Sequence, residues 1–202
     1  YGAVAARFAR YKPAPVADLP PFTGGAVGFF GYDLVRTVEP LGPPNPDELG
    51  LPDMALMVTD AMVVFDHLRH ELTILACVHT DGEDDFEAEY GRAASTIAEM
   101  RERLRGPVPQ PAAPNVAPAP EFTSNFERED FEAAVSRIVE YVRAGDAFQV
   151  VPSQRFSADA PVEAFSVYRG LSAVNPSQYM YYLEFGDFQI AGASPEPLVN
   201  VH

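Results

Sequence analysis

Cysteine is almost absent from this 202-residue sequence: Cys77 stands alone, in the apolar run Leu75-Ala76-Cys77-Val78. A single thiol cannot close an internal disulfide, and that usage fits a reducing, cytoplasmic compartment. Its apolar neighbours point to a buried structural thiol rather than a nucleophile. Lysine is as scarce: the 14 basic residues are arginines except for Lys12, a skew that reads as codon bias rather than function. Long apolar runs are missing too. No stretch approaches about 18 uninterrupted apolar residues, so no membrane-spanning helix is expected. Residues 1–12 carry charges and lack the apolar core of a signal peptide. They also lack an initiating Met, so the chain is expected to start inside a longer protein.

Positive charge is in short supply. Twenty-nine Asp and Glu face 14 Lys and Arg, for a net charge of −15 and a pI near 4.5. An acidic surface repels nucleic-acid phosphates and anionic lipid, so neither is expected as a partner. An anionic substrate would need a local basic or metal site against this background. Apolar residues make up 47% and charged residues 21%, ordinary for a globular protein long enough for one or two cores.

Three regions follow from the pattern. Residues 1–105 are strand-rich. Gly24-Gly25-Ala26-Val27-Gly28-Phe29-Phe30-Gly31-Tyr32 reads as a strand whose glycines suggest bulges or close backbone approach. A proline-rich loop spans 40–52, and strands are predicted at 54–60, 61–66 and 71–79, the last two as a hairpin. Phe86, Tyr90, Ala93, Ile97, Met100 and Leu104 repeat at the three- and four-residue steps of one helix face, and Gly106 stops that helix. Residues 106–120 recur in proline too often for a helix or interior strand, and form the predicted linker. Residues 121–202 make the third region. Ser124-Asn125-Phe126-Glu127 has the form of a capping box, ahead of a helix that buries Phe131, Val135, Ile138 and Val142 and ends at Gly145. A strand is predicted over 147–156 and a helix over 161–174, stopped by Asn175-Pro176. A hairpin is predicted over 178–185 and 188–193 around Gly186-Asp187, then a strand opening at 197.

Several motifs fail on their chemistry. The glycines of 24–31 lack the Gly-Lys-Ser/Thr ending of a phosphate loop and the G-x-G-x-x-G spacing. The acidic run Asp81-Gly82-Glu83-Asp84-Asp85 lacks the alternating ligands and terminal bidentate Glu of a calcium loop. His67, His70 and His79 have no Cys partner and no H-E-x-x-H pattern. Asn175-Pro176-Ser177 has proline where a glycosylation acceptor forbids it. Glu184 and Glu196 lack any sequence evidence of pairing for acid–base work. In the 147–156 strand, alternation puts Gln149, Val151 and Ser153 on one face. That polar set is either a solvent-facing edge or a buried group needing partners, which a ligand can supply.

Four stretches, in register, resemble one family. Gly145-Asp146-Ala147-Phe148-Gln149-Val150-Val151-Pro152-Ser153-Gln154-Arg155 is similar to the G-D-I-F-Q-V-V-P-S-Q-R segment of anthranilate synthase component I. Asn175-Pro176-Ser177-Gln178-Tyr179-Met180-Tyr181-Tyr182 resembles its N-P-S-P-Y-M-[FY]-[FY] motif. Gly192-Ala193-Ser194-Pro195-Glu196-Pro197-Leu198-Val199 resembles its G-[SA]-S-P-E-x-L-V. Gly28-Phe29-Phe30-Gly31-Tyr32-Asp33, with Arg36, resembles its G-Y-[FL]-G-Y-D-x-[VI]-R.

The resemblance implies an α+β fold of antiparallel sheets with outer helices, the chorismate-utilising architecture, present here in part. It makes 1–105 the N-terminal component I region and 121–202 the beginning of the chorismate-binding domain. It implies a lyase of tryptophan biosynthesis that converts chorismate and ammonia to anthranilate and pyruvate with Mg2+. It also implies a glutamine amidotransferase partner, component II, and allosteric inhibition by tryptophan. Asn175, Pro176, Gln178, Tyr179, Met180 and Tyr181 match part of the tryptophan pocket. Gln178 stands where the family usually has proline. Gln149, on the nucleophile side, matches the position where water-using relatives carry a lysine base. Glutamine cannot act as a base at neutral pH, which favours an ammonia user. Aminodeoxychorismate synthase component I shares that Gln, and a non-catalytic tryptophan-binding module is a further alternative; the 175–182 motif favours anthranilate synthase. The magnesium-binding glutamates are expected outside this segment, with no metal ligand in it. The segment alone is expected to be inactive.

Overall fold

The computed structural model describes residues 2–80, 85–109, 119–159 and 162–200. The chain divides between Pro109 and Gln110 into two compact units. All four strand pairings are antiparallel, and helices accompany them, so the fold is α+β as predicted.

In the first unit, a short helix α1 (Gly2–Phe8) precedes β1 (Gly25–Phe30), which pairs with β2 (Met54–Thr59). The glycines of β1 serve close approach. A Cβ at Gly28 would collide with the Ala55 carbonyl on the facing strand. A 3-10 turn over Tyr32–Thr37 follows, where Arg36 pairs with Asp33 at 2.6 Å. β3 (Ala61–Asp66) and β4 (Glu71–Ala76) form the predicted hairpin, closed by Asp66↔Glu71. Its turn is organised by one carboxylate: Asp66 Oδ1 accepts from the N–H groups of Leu68 and Arg69, both at 2.9 Å. Those bonds, with the Arg69 N–H first, hold the Asp66 carboxyl below its ordinary pKa. His70 completes the turn in the left-handed region at φ 56, a conformation that His tolerates better than branched residues.

Helix α2 (Phe86–Arg105) starts at the Asp85 cap, whose side chain accepts from Glu87 N, and its acidic first turn and basic last turn suit the helix dipole. It lies against β4. Only the middle of its apolar stripe is covered: Ala93 is buried, while Phe86, Tyr90 and Leu104 stay exposed. Cys77 continues from β4 and its thiol donates weakly to the Thr23 carbonyl at 3.7 Å. Burial, then the Asp60 charge, pushes this thiol up, in keeping with a structural role. Residues 81–84 of the acidic run lie outside the described residues, as do 110–118 of the predicted linker.

In the second unit, β5 (Thr123–Ser124) pairs with β6 (Phe156–Ser157). Helix α3 (Arg128–Ala144) ends in a Schellman arrangement: Gly145 sits at φ 85, its N–H bonds to Val142 O, and Asp146 N bonds to Tyr141 O. The predicted capping box does not form. Glu127 is the N-cap and makes no side-chain cap bond; the Ser124 hydroxyl instead turns back on Phe126 N at 3.0 Å. The helix starts too late for a Ser124 cap: its N-cap is Glu127, three residues further on, while Ser124 is held in β5. Helix α4 (Ala164–Val174) packs on the hairpin β7 (Tyr179–Glu184) and β8 (Gln189–Ser194). Residue 161, where this helix was predicted to begin, lies outside the described residues.

Two strand predictions fail. Residues 147–155 are irregular, and only Phe156–Ser157 is strand. No described strand runs beside 147–155 to complete a ladder, and β propensity alone does not hold a lone strand. Residues 197–200 are likewise not strand. Burial is shallow. Among the described residues, Ala93 and Leu183 are the buried hydrophobics.

A candidate ligand loop at the α4–β7 junction

The 175–182 motif spans the end of α4, a bend and the start of β7. α4 stops because Asn175 leaves helical geometry at φ −136, ψ 65, its N–H still bonded to Leu171 O at 2.8 Å. Pro176 follows, and its ring has no N–H with which to continue the helix. Residues 177 and 178 then turn the chain into β7.

The strand distributes the predicted ligand residues over two faces. Tyr182 points toward α4, where its ring meets Phe165 edge-on at 5.2 Å and Tyr168 at 6.0 Å. Met180 shares that face by alternation and is half-buried. Tyr179 and Tyr181 share the other face and remain 43% and 45% exposed. Burial first, then the Glu184 and Glu163 charges, raises the Tyr182 phenol, so it stays neutral and serves packing.

Tyr181 lies opposite Gly192 in the register. Its ring covers that glycine so closely that a Cβ at 192 would fall inside it. The glycine thus lets an aromatic ring lie down on the sheet. The motif containing Gly192 and the motif containing Tyr181 are therefore two sides of one hairpin. Ser194, at the end of β8, donates from its hydroxyl to the Glu196 carbonyl at 2.8 Å and ties the following turn to the strand.

One loop residue was missed by sequence reasoning. The Ser177 hydroxyl is enclosed and has no hydrogen-bond partner among the described residues. A buried hydroxyl left unmatched costs about 1–3 kcal/mol, so a partner at this position would be favoured. Sequence gave only a weak signal, a small polar residue after proline.

Gln149 is exposed, between Phe148, fully exposed at 104%, and Val150. Among the described residues, no hydrogen bond or ring contact joins it to residues 175–181. The expected shared polar face with Ser153 does not exist, because the strand that would define it is not formed. The tail of this segment is held firmly. Gln154 Nε2 donates to the Ser124 hydroxyl at 2.7 Å, Arg155 N donates to Asn125 Oδ1 at 2.8 Å, and Asn125 N donates to Arg155 O at 3.1 Å. This polar clamp was not foreseen from the sequence, because its halves lie about thirty residues apart.

No three His, Cys, Asp or Glu residues converge on one point among the described residues. His79 instead pairs with Asp60 at 3.1 Å, and Tyr11 packs edge-on against its ring. A surface depression of about 640 Å³ lies in the first unit, between Asp18–Pro21 and the tip of the β3–β4 hairpin. None of the motif residues lines it. No described helix is long and apolar enough to cross a membrane.

Comparison with known proteins agrees with the motif reading. A family model described as chorismate binding enzyme matches residues 3–202. Anthranilate synthase component 1 of Pseudomonas putida is 47% identical over 194 residues, covering 95% of this chain and 39% of that protein. The Thermus thermophilus anthranilate synthase component 1 is 43% identical over 183 residues, 91% of this chain and 38% of that protein. The crystal structure of anthranilate synthase component I from Streptococcus pneumoniae superposes with a TM-score of 0.76 at 37% identity, over 95% of this chain and 43% of that one. The chain thus spans about two fifths of the length of the curated relatives it matches. With a match running almost end to end and the same architecture in a solved relative, the chain belongs to the family of chorismate binding enzymes.

Proposed function

We propose that this chain is the part of an anthranilate synthase component 1 that carries the tryptophan-sensing loop, and that the chemical step requires residues it does not contain. The observation that carries this reading is the α4–β7 junction. It combines an enclosed Ser177 hydroxyl with no hydrogen bond among the described residues, two half-exposed tyrosines on one sheet face, and a glycine that seats one of their rings. An indole ring needs an aromatic platform, and the charged ends of an amino acid need polar groups. Tyr179 and Tyr181 offer the first; Ser177 and the backbone beside Pro176 offer the second. Met180 takes a different part, since it lies on the face toward α4, where an adaptable side chain fills the packing below the loop. Gln178 has a backbone N–H that a proline would lack, so the loop keeps an additional donor.

The reaction of the whole protein is the conversion of chorismate and ammonia to anthranilate and pyruvate, in tryptophan biosynthesis. Ammonia comes from glutamine through an amidotransferase partner, component II. Ammonia is already a nucleophile and needs no base to activate it, whereas water does. The amide of Gln149 suits the first case and not the second. Magnesium would neutralise the charge of the anionic substrate. The side chains described here do not form a site for it, so no step is assigned to it in this chain.

Two measurements test the reading. Titration calorimetry with L-tryptophan is expected to show saturable binding, weakened roughly tenfold in Ser177→Ala and lost in Tyr181→Ala. An assay with chorismate, ammonium and magnesium is expected to yield no anthranilate from the chain alone. Anthranilate formation would overturn the division of labour. A flat calorimetric trace at millimolar tryptophan would show that the loop is not sufficient for binding.

A further inference from the structure

We draw no further inference here: the strongest candidate, the apolar stripe of α3 (Phe131, Val135, Ile138 and Val142) with the neighbouring segment that exposes Phe148 and Val151, lies largely uncovered, and nothing in the structure shows what covers it.

Discussion

The β7–β8 hairpin and the 147–155 segment both carry family-like motifs, and both read as strands. Only the hairpin is one. Its strands are joined by Gly186 at φ 83 and paired over six residues from Tyr179↔Ser194 to Glu184↔Gln189. Each half supplies the other's ladder partner within sixteen residues of chain, so closure costs little entropy. The 147–155 segment has the same kind of apolar content but no adjacent strand among the described residues. Its backbone order is confined to the end that Ser124 and Asn125 hold. Strand formation here follows the availability of a partner more than composition.

The largest effect that sharpens this contrast is the truncation of one large apolar side chain on each side. Leu183, in β7, is 8% exposed. Leu183→Ala is expected to cost about 2–4 kcal/mol from lost burial and the cavity left behind. Phe148→Ala, at a fully exposed position, is expected to stay within about 0.5 kcal/mol. Urea unfolding followed by circular dichroism reads both. Equal losses would mean that 147–155 is packed in solution and that the contrast is wrong.

Next in size is Gly192→Ala. The new methyl group meets the Tyr181 ring, and overpacking of this kind costs about 1–3 kcal/mol. The ring must swing off the sheet to make room, so the Tyr181 side-chain NMR signals should shift toward solvent-exposed values. The double variant Gly192→Ala with Tyr181→Ala should recover part of the loss, because the colliding group is gone. No recovery would mean that the glycine is needed for its backbone rather than for the ring.

A smaller effect probes the clamp. Asn125→Ala removes the acceptor of the Arg155 N–H and is expected to cost about 1 kcal/mol. Amide exchange at Arg155 should accelerate, while exchange along β7 and β8 stays unchanged. Ser177→Ala moves the other way: removing an enclosed, unmatched hydroxyl leaves stability equal or slightly higher, yet tryptophan affinity should fall roughly tenfold, the worth of about one hydrogen bond.

How much was legible in advance follows the same division. The β3–β4 and β7–β8 hairpins, α2 and the Gly145 cap could be read because their signals are local: turn residues, helix periodicity, a glycine where φ must be positive. The capping box misled because Ser124 had a competing partner, its own Phe126 N–H, and Gln154 from a distant stretch. The strand at 147–156 misled because periodicity says nothing about whether a neighbour is present. In the candidate loop, the motif located residues 175–182 but not their faces. Only the observed register shows that Met180 turns toward α4 while Tyr179 and Tyr181 turn away, and only packing shows that the Ser177 hydroxyl is enclosed.

The smallest effect lies in the first unit, at a turn that closes on local chemistry alone. Asp66 accepts two backbone N–H bonds in its ionised form, which lowers its carboxyl pKa in the folded chain. A lowered folded value means that ionised Asp66 stabilises the hairpin above the unfolded carboxylate range, near pH 4. That contribution is lost as pH falls through the folded value. Asp66→Ala should therefore melt below the parent at neutral pH, and the gap should close in acid. Asp66→Asn keeps an oxygen acceptor and should show a smaller gap with little pH dependence. A gap that persists unchanged below pH 3 would mean that the ionised carboxylate is not what holds the turn. It would also remove the main distinction between a hairpin closed by one polar side chain and the β7–β8 hairpin, which is closed by glycine and aromatic packing.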